Sequence, residues 1–397
     1  MSQTTRERNG LALPYTGWFV IDVDLILITP LLVPVAAHFH AGLASVTLAL
    51  TAYLLLFGIM QPIYGLISDT AGRVRVMRIG LIGLCAGNLL AALAPSVGVL
   101  ILGRAVAGAF AAALVPVTVA YVGDRVPPER RQRAMAALMS VSALGVAAGT
   151  VSAGVLTDLL SWRAAILLVS LLAAVLAVLY GRLPETLAPG AGRRVELGRI
   201  GRVFRSGWFR FLVVFAFVEG AAMVGFYNFF SAALQVHGNS VLLAGVVTGS
   251  YGLGAVAGGV VVRALDSRAS AAAMFCLGTA LLFAGYLIPA LTQTVAGILA
   301  ASLLSGMALA VAQSTVQTWT LEASAPEVRG TAASLVASSV FTGAAVGTAA
   351  VGGLAAAGDF RLLFGIAAAV TLPVVIIGTV ARARFARSDR PVGSMSG

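Results

Sequence analysis

The chain has no lysine, two cysteines, three histidines, and charged residues at only 10% of its 397 positions. Cys85 and Cys276 both fall inside apolar stretches, which argues against a disulfide framework. His38, His40 and His237 lie at the ends of apolar stretches, where they read as interfacial polar caps rather than as metal ligands. There is no Walker-type phosphate loop, no Cys/His cluster, and no nucleophile–base arrangement in a soluble domain. ATP-driven transport and hydrolytic chemistry are therefore disfavoured. We expect no enzyme activity, no cofactor and no metal.

What is abundant is apolar surface. Hydrophobic residues make up 59% of the chain, and charge is far below the roughly 25% of soluble domains. A soluble fold of this length cannot hide so much, so the main solvent must be lipid. Runs long enough to cross a bilayer recur twelve times, at 16–37, 45–67, 76–94, 97–122, 133–157, 163–182, 209–234, 241–264, 270–290, 294–321, 329–356 and 360–382. Ala, Gly and Leu dominate them, which favours close-packed helices over a barrel.

All 26 basic residues are arginine, and their placement predicts the topology. They cluster at the N-terminus (Arg6, Arg8), after span 2 (Arg73, Arg75, Arg78), after span 4 (Arg125, Arg130, Arg131, Arg133) and after span 6 (Arg193, Arg194, Arg199, Arg202, Arg205). More follow span 8 (Arg263, Arg268) and span 12 (Arg382, Arg384, Arg387, Arg390), whereas the opposite loops hold little beyond Arg163 and Arg361. The positive-inside rule then predicts a multi-pass protein of the inner (plasma) membrane with both termini cytoplasmic. The net charge of +11 is topological, and no basic face is left for nucleic acid.

The chain also repeats itself at an offset of 198 positions, half its length. Pro128, Arg131, Gly145, Gly149, Thr150, Gly154 and Arg163 pair with Pro326, Arg329, Gly343, Gly347, Thr348, Gly352 and Arg361, and Gly108 pairs with Gly306. Such a duplication in an apolar chain predicts two helical bundles with a site between them. We expect an N-terminal six-helix bundle over 1–182, a cytoplasmic linker over 183–208 with a short helix on anionic headgroups, and a C-terminal bundle with its tail over 209–397.

Several motifs sit where a known family has them. Gly65, Asp69, Gly72 and Arg73 follow span 2, with glycines that permit a tight turn. Asp69 is suited to cap a neighbouring helix, and Arg73 to pair with Asp124 at the end of span 4. Span 4 carries Gly103, Arg104 and Gly108, and Pro184, Glu185 and Thr186 follow span 6. Span 5 carries Gly145, Gly149, Thr150, Ala153 and Gly154. Together these resemble the major facilitator superfamily. The span 5 pattern resembles its antiporter signature, with Thr150 where that signature has proline. The second copy of the span 2–3 loop keeps Arg263, Asp266 and Arg268 but neither glycine, so the gate of that half reads as relaxed. The resemblance implies the major facilitator fold: an all-α membrane protein of twelve transmembrane helices in two pseudo-symmetric six-helix bundles. It also implies a cytoplasmic gate of Gly65, Asp69, Gly72, Arg73 and Asp124, with Gly145, Gly149, Gly154, Gly343 and Gly347 as packing positions in helices 5 and 11.

Ionisable groups at mid-membrane are costly and mark function by default. Asp22 and Asp24 lie in span 1, Arg104 in span 4 and Glu219 in span 7. Position 220 is the repeat partner of Asp22, so acids occupy near-equivalent depths in the two halves, and the resemblance puts them beside the transport route. Asp22 and Asp24 point to different sides of a helix, and the sequence leaves open which of them meets Arg104. Surplus carboxylates in a low-dielectric cavity hold protons more tightly, so Glu219, without a basic partner in its span, is the first choice for proton coupling. For a substrate cavity the candidates are Phe226, Tyr227, Asn228, Gln313, Gln317, Trp319, Tyr53 and Tyr251, with Tyr227 eight residues from Glu219 and roughly on its face.

The expected function is proton-coupled secondary transport, exporting lipophilic or cationic small molecules by alternating access, with substrate, protons and lipid as partners and a monomer as the unit. A transporter of one metabolite, such as a sugar or amino acid, is the alternative that Asn228, Gln313, Gln317 and Trp319 keep open. A non-transporting membrane sensor or scaffold is the alternative from another class.

Overall fold

A computed structural model describes residues 3–186, 198–265, 268–325 and 328–388. Arg193 and Arg194 of the linker, Asp266, Pro326 and Arg390 lie outside the described residues.

Twelve stretches are long and apolar enough to span a membrane. Span 1 is α1 (Gln3–His38), span 2 α2 (Leu43–Ala71) and span 3 α3 (Arg73–Ala92). Span 4 is broken into α4 (Val97–Ala111) and α5 (Leu114–Arg125). Pro116 removes the amide that would serve the Ala112 carbonyl, which accounts for the break. Spans 5 and 6 are α6 (Pro128–Leu159) and α7 (Trp162–Leu179). A short helix, α8 (Gly198–Val203), precedes span 7. Its last residue, Val203, is buried in the C-terminal core.

Span 7 is the most irregular. It begins as α9 (Gly207–Gly220), widens into a π turn (Ala221–Gly225), tightens into a 3₁₀ turn (Tyr227–Phe229) and ends as α10 (Phe230–Val236). Then come α11 (Val241–Leu265), α12 (Ala271–Leu291), α13 (Val295–Glu322), α14 (Arg329–Ala356) and α15 (Phe360–Ser388), spans 8 to 12. Helix starts are capped where the sequence supplies hydroxyls. Ser96 accepts from the Val99 amide, and Thr294, 198 positions on, accepts from the Gly297 amide.

The repeat recurs in the packing. Gly145 lies against Phe19 and Gly343 against Phe217, while Gly149 lies against Val23 and Gly347 against Ala221. Gly108 meets Tyr53, and Gly306 meets Tyr251. Every one of these contact pairs keeps the 198-residue offset, so the two halves are built on one plan. Each has its own apolar core, one centred on Leu50, Leu81 and Ile166, the other on Phe230, Leu282 and Phe364.

The halves meet through α2 with α14, α6 with α11, and α1 with α10. Among the described residues three hydrogen bonds cross between them: Thr29 to Asn228, Gln235 to the Pro30 carbonyl, and the Leu242 amide to Asp158. All three lie toward the end that carries His38, Asp158 and Arg163, opposite the arginine-rich end. Glycines make the α6–α11 approach possible. A methyl on Gly154 would press on the Val241–Leu242 backbone, and one on Gly252 on Ala143 and Ala147.

Candidate functional site

The choice left open between Asp22 and Asp24 is resolved by what surrounds α1. Asp24 is fully buried and its Oδ1 receives Arg104 Nη1 at 2.8 Å and Asn88 Nδ2 at 2.7 Å. Arg104 also donates to Asn88 Oδ1 at 2.7 Å and to the Asp24 carbonyl at 3.0 Å, and stacks 4.2 Å from the Tyr53 ring centroid. Hydrogen bonds and a π face thus share a buried ion pair among α1, α2, α3 and α4. Asp22 turns instead toward α6, with Ser142 and Trp18 as polar neighbours.

The C-terminal half carries an uncharged counterpart. Positions 198 on from Asp24, Asn88, Arg104 and Tyr53 are Ala222, Tyr286, Ser302 and Tyr251. The Tyr286 hydroxyl donates to the Ala222 carbonyl at 2.5 Å, repeating the Arg104 bond to the Asp24 carbonyl with a neutral donor. Tyr227 lies 4.5 Å from Tyr251, ring to ring, and donates to the Thr248 carbonyl at 2.7 Å.

Glu219 has no such partner. It is fully buried, and neither carboxylate oxygen has a hydrogen-bond partner among the described residues. Its depth matches that of Asp22, but its direction does not. Gly220 occupies the place against α14, at Val340, that Asp22 occupies against α6. One residue earlier is about 100° around the helix, so Glu219 turns into its own half on the side of Phe215, which packs on Phe275 at 5.7 Å. Asp24 and Glu219 are both enclosed in this structure. The eight residues from Glu219 to Tyr227 do not keep one helical face, because a π turn lies between them and shifts the phase.

The cavity candidates divide. Phe226, Tyr227 and Asn228 are buried on the broken part of span 7. Asn228 Nδ2 donates to Thr348 Oγ1 at 3.2 Å, and Thr348 donates to the Gly225 carbonyl at the end of the π turn at 3.0 Å. Tyr53 belongs to the Arg104 cluster and Tyr251 to the tyrosine pair. On α13, Gln313 is half-buried and Gln317 exposed. Trp319 turns away from them into a box with Trp208, Phe211 and Phe385. These three residues do not converge on one site. Arg382, whose guanidinium is 5.7 Å from the Trp319 ring, pairs with Glu322 at 2.8 Å.

At the arginine-rich end the span 2–3 loop forms a network. Arg73 reaches Asp69 at 2.6 Å, Ser68 at 2.6 Å and Asp124 at 3.4 Å. The helix cap expected of Asp69 is supplied by Glu185, whose carboxylate accepts from the Arg73 and Val74 amides at 2.8 and 3.0 Å. Thr186 donates to Asp124 at 3.0 Å, so the segment after span 6 closes the ring. Gly72 sits at φ +100°, and a side chain there would collide with Glu185. Gly65 lies open toward Pro116.

Asn88, Ser68 and Gln235 were not singled out from the sequence. Asn88 had a readable signal, as the one amide in span 3.

The fold and these clusters define a membrane protein of twelve helices in two pseudo-symmetric halves. The family profile described as Major Facilitator Superfamily matches residues 15–341, and the chain belongs to that family. Fold and family are those of a transporter, not of an enzyme. Among curated relatives, a puromycin resistance protein of Streptomyces alboniger is 35% identical over 44% of this chain and 38% of its own length. A cephamycin export protein of Amycolatopsis lactamdurans is 33% identical over 42% of this chain and 34% of its own. The chain thus spans well under half the length of these relatives. Among solved structures, a bacterial homologue of the human lysosomal transporter Spinster, inward-facing and unoccupied, superposes with a TM-score of 0.76 over 99% of this chain and all of the other, at 14% identity. A variant of a nucleoside transporter, NupG, gives 0.76 over 94% and 99%, at 13% identity. At these identities the likeness speaks for the fold alone.

Proposed function

We propose that the chain is a proton-coupled secondary transporter that exports lipophilic or cationic small molecules by alternating access. The observation that carries this reading is the contrast between two of its buried acids, Asp24 and Glu219. Asp24 is neutralised by Arg104 and held by Asn88. Glu219 has neither cation nor hydrogen-bond donor among the described residues. A carboxylate enclosed without a counter-ion changes in energy steeply when its surroundings change from dry to wet. A rocking motion that opens its half to water therefore drives proton exchange there. The resistance and export functions named for the two relatives support efflux as the direction.

In this reading residues 1–182 and 209–397 are the rocking bundles and 183–208 joins them, with a single chain as the transport unit. The arginine-rich end, with both termini, faces the cytoplasm of a plasma membrane. The Asp69–Arg73–Asp124 network is the gate at that end, and Asp22, Asp24 and Arg104 support coupling in the N-terminal half.

The test is flux of a cationic dye and of a sugar into proteoliposomes, each with and without an imposed pH gradient. Dye flux that follows the gradient is the expected result. Glu219→Gln is expected to abolish gradient-driven dye flux while leaving dye binding within about two-fold, since only the exchangeable proton is removed. Full gradient-driven flux in that variant removes Glu219 from the mechanism, and sugar flux alone overturns the cargo class.

A further inference from the structure

Three prolines lie within α1, at 14, 30 and 34. In an α-helix the carbonyl of residue 30 accepts from the amide of residue 34, and here residue 34 is proline and has none. The partner comes from the other half of the molecule. Gln235, at the end of span 7, donates its Nε2 to the Pro30 carbonyl at 3.0 Å. The amide is held by a second bond of 3.0 Å to Ser231 Oγ on its own helix. One residue earlier on α1, Thr29 meets Asn228 at 3.5 Å.

We propose that Gln235 and the Pro30 carbonyl form the latch that holds the two halves together at the end opposite the arginine-rich one. A carbonyl stripped of its helical donor is a strong, fixed acceptor, and leaving it dry and unpaired is costly. The halves can part there only when water takes over the bond. Pro34 thus turns a defect in α1 into a contact that exists in the closed state alone. The other two bonds between the halves among the described residues are weaker devices: Thr29 to Asn228 is long, and Asp158 to the Leu242 amide is exposed. The inference rests on the rocking motion described above but not on protons or on the identity of the cargo.

The test reads opening directly. Thr47 is buried where α2 meets α14 at this end, opposite Gly352. In a background with Cys85 and Cys276 replaced by alanine, the full-length Thr47→Cys protein in nanodiscs is reacted with a soluble thiol reagent, without cargo or gradient. Gln235→Met keeps the length and removes the donor. It is expected to raise the labelling rate about ten-fold, the factor for stranding a buried carbonyl. Adding Pro34→Ala returns a helical amide to the Pro30 carbonyl, so the same Gln235→Met step should then raise the rate by only about two-fold. If Gln235→Met fails to fold, Gln235→Ala is read through the same cycle. An unchanged rate, or an increment equally large with and without Pro34, overturns the latch. Because labelling needs neither proton nor dye, failure of the transport reading leaves this result interpretable.

Discussion

At the scale of single residues, the described part of the molecule keeps the Asp24–Arg104 pair dry and leaves Glu219 unpaired. Arg104 is fully enclosed, with two oxygens of Asp24, the Asn88 amide oxygen and the Tyr53 ring around it. Asp24→Asn removes the charge at almost constant shape and leaves the guanidinium uncompensated. Breaking a buried pair from one side costs about 3–5 kcal/mol. The expected outcome is a marked drop in the thermal midpoint of the purified protein, part of which Arg104→Gln in the same chain restores. An unchanged midpoint for Asp24→Asn alone would mean that Asn88 and Tyr53 suffice to hold Arg104. The presence of mid-membrane acids and of one central arginine was readable in the chain. Which acid serves the arginine was not, because Asp22 and Asp24 differ only in direction around α1. The position of α3 and α4, which supply Asn88 and Arg104, decides it.

At the scale of elements, the twelve spans were legible because each is an apolar run bounded by charge or by glycine and proline. Boundaries read from the chain fall within about five residues of the helices, and only polar caps extend them further. Span 7 was not legible as a broken helix. Its π and 3₁₀ turns arise where Gly220 and Gly225 press against Val340, Ala344 and Thr348 on α14, a tertiary contact with no local trace. Close approach also separates glycines that look alike in sequence. A methyl on Gly306 would meet the Tyr251 backbone of α11, whereas one on Gly353 meets nothing within 4 Å. Gly306→Ala is therefore expected to destabilise by about 1–3 kcal/mol through forced separation of α11 and α13. Gly353→Ala is expected to be neutral or to stabilise by up to about 1 kcal/mol, from helix propensity alone. Melting curves of the two variants test the contrast, and equal shifts would show that the α11–α13 approach is slack.

At the scale of the whole molecule, the two halves share a backbone plan and divide the chemistry. The repeat fixes which helices pack, down to Gly108 on Tyr53 and Gly306 on Tyr251. The charges follow it only in part. Arg104 has Ser302 as its counterpart, and the acid at the end of span 4, Asp124, has Glu322. Asp124 is held by Arg73 from the span 2–3 loop and by Thr186, while Glu322 is held by Arg382 from the extension of α15. The second loop, which lacks the glycines of the first, has thus ceded its acid to the C-terminal helix. Among the described residues the arginine-rich end thus holds a network of several members around Arg73 and a pair of Arg382 with Glu322. The larger network is where conformational balance is most exposed to mutation. Asp69→Asn keeps the side chain's shape and removes the charge that Arg73 meets at 2.6 Å. Charge-assisted bonds of this kind contribute about 1.5–3 kcal/mol, and Arg73 is nearly buried while Asp69 is partly wet, so the lower figure applies. If the network stabilises the state closed at that end, the loss shifts the balance of states by about ten-fold. Turnover should fall by a similar factor, while the order of preference among cargoes stays fixed, because no cargo-facing group has moved. Initial rates for several dyes, compared as ratios between Asp69→Asn and the unaltered protein, measure both. A reordered preference at normal turnover would assign Asp69 to recognition and leave the closing of that end to Glu185, Thr186 and Asp124.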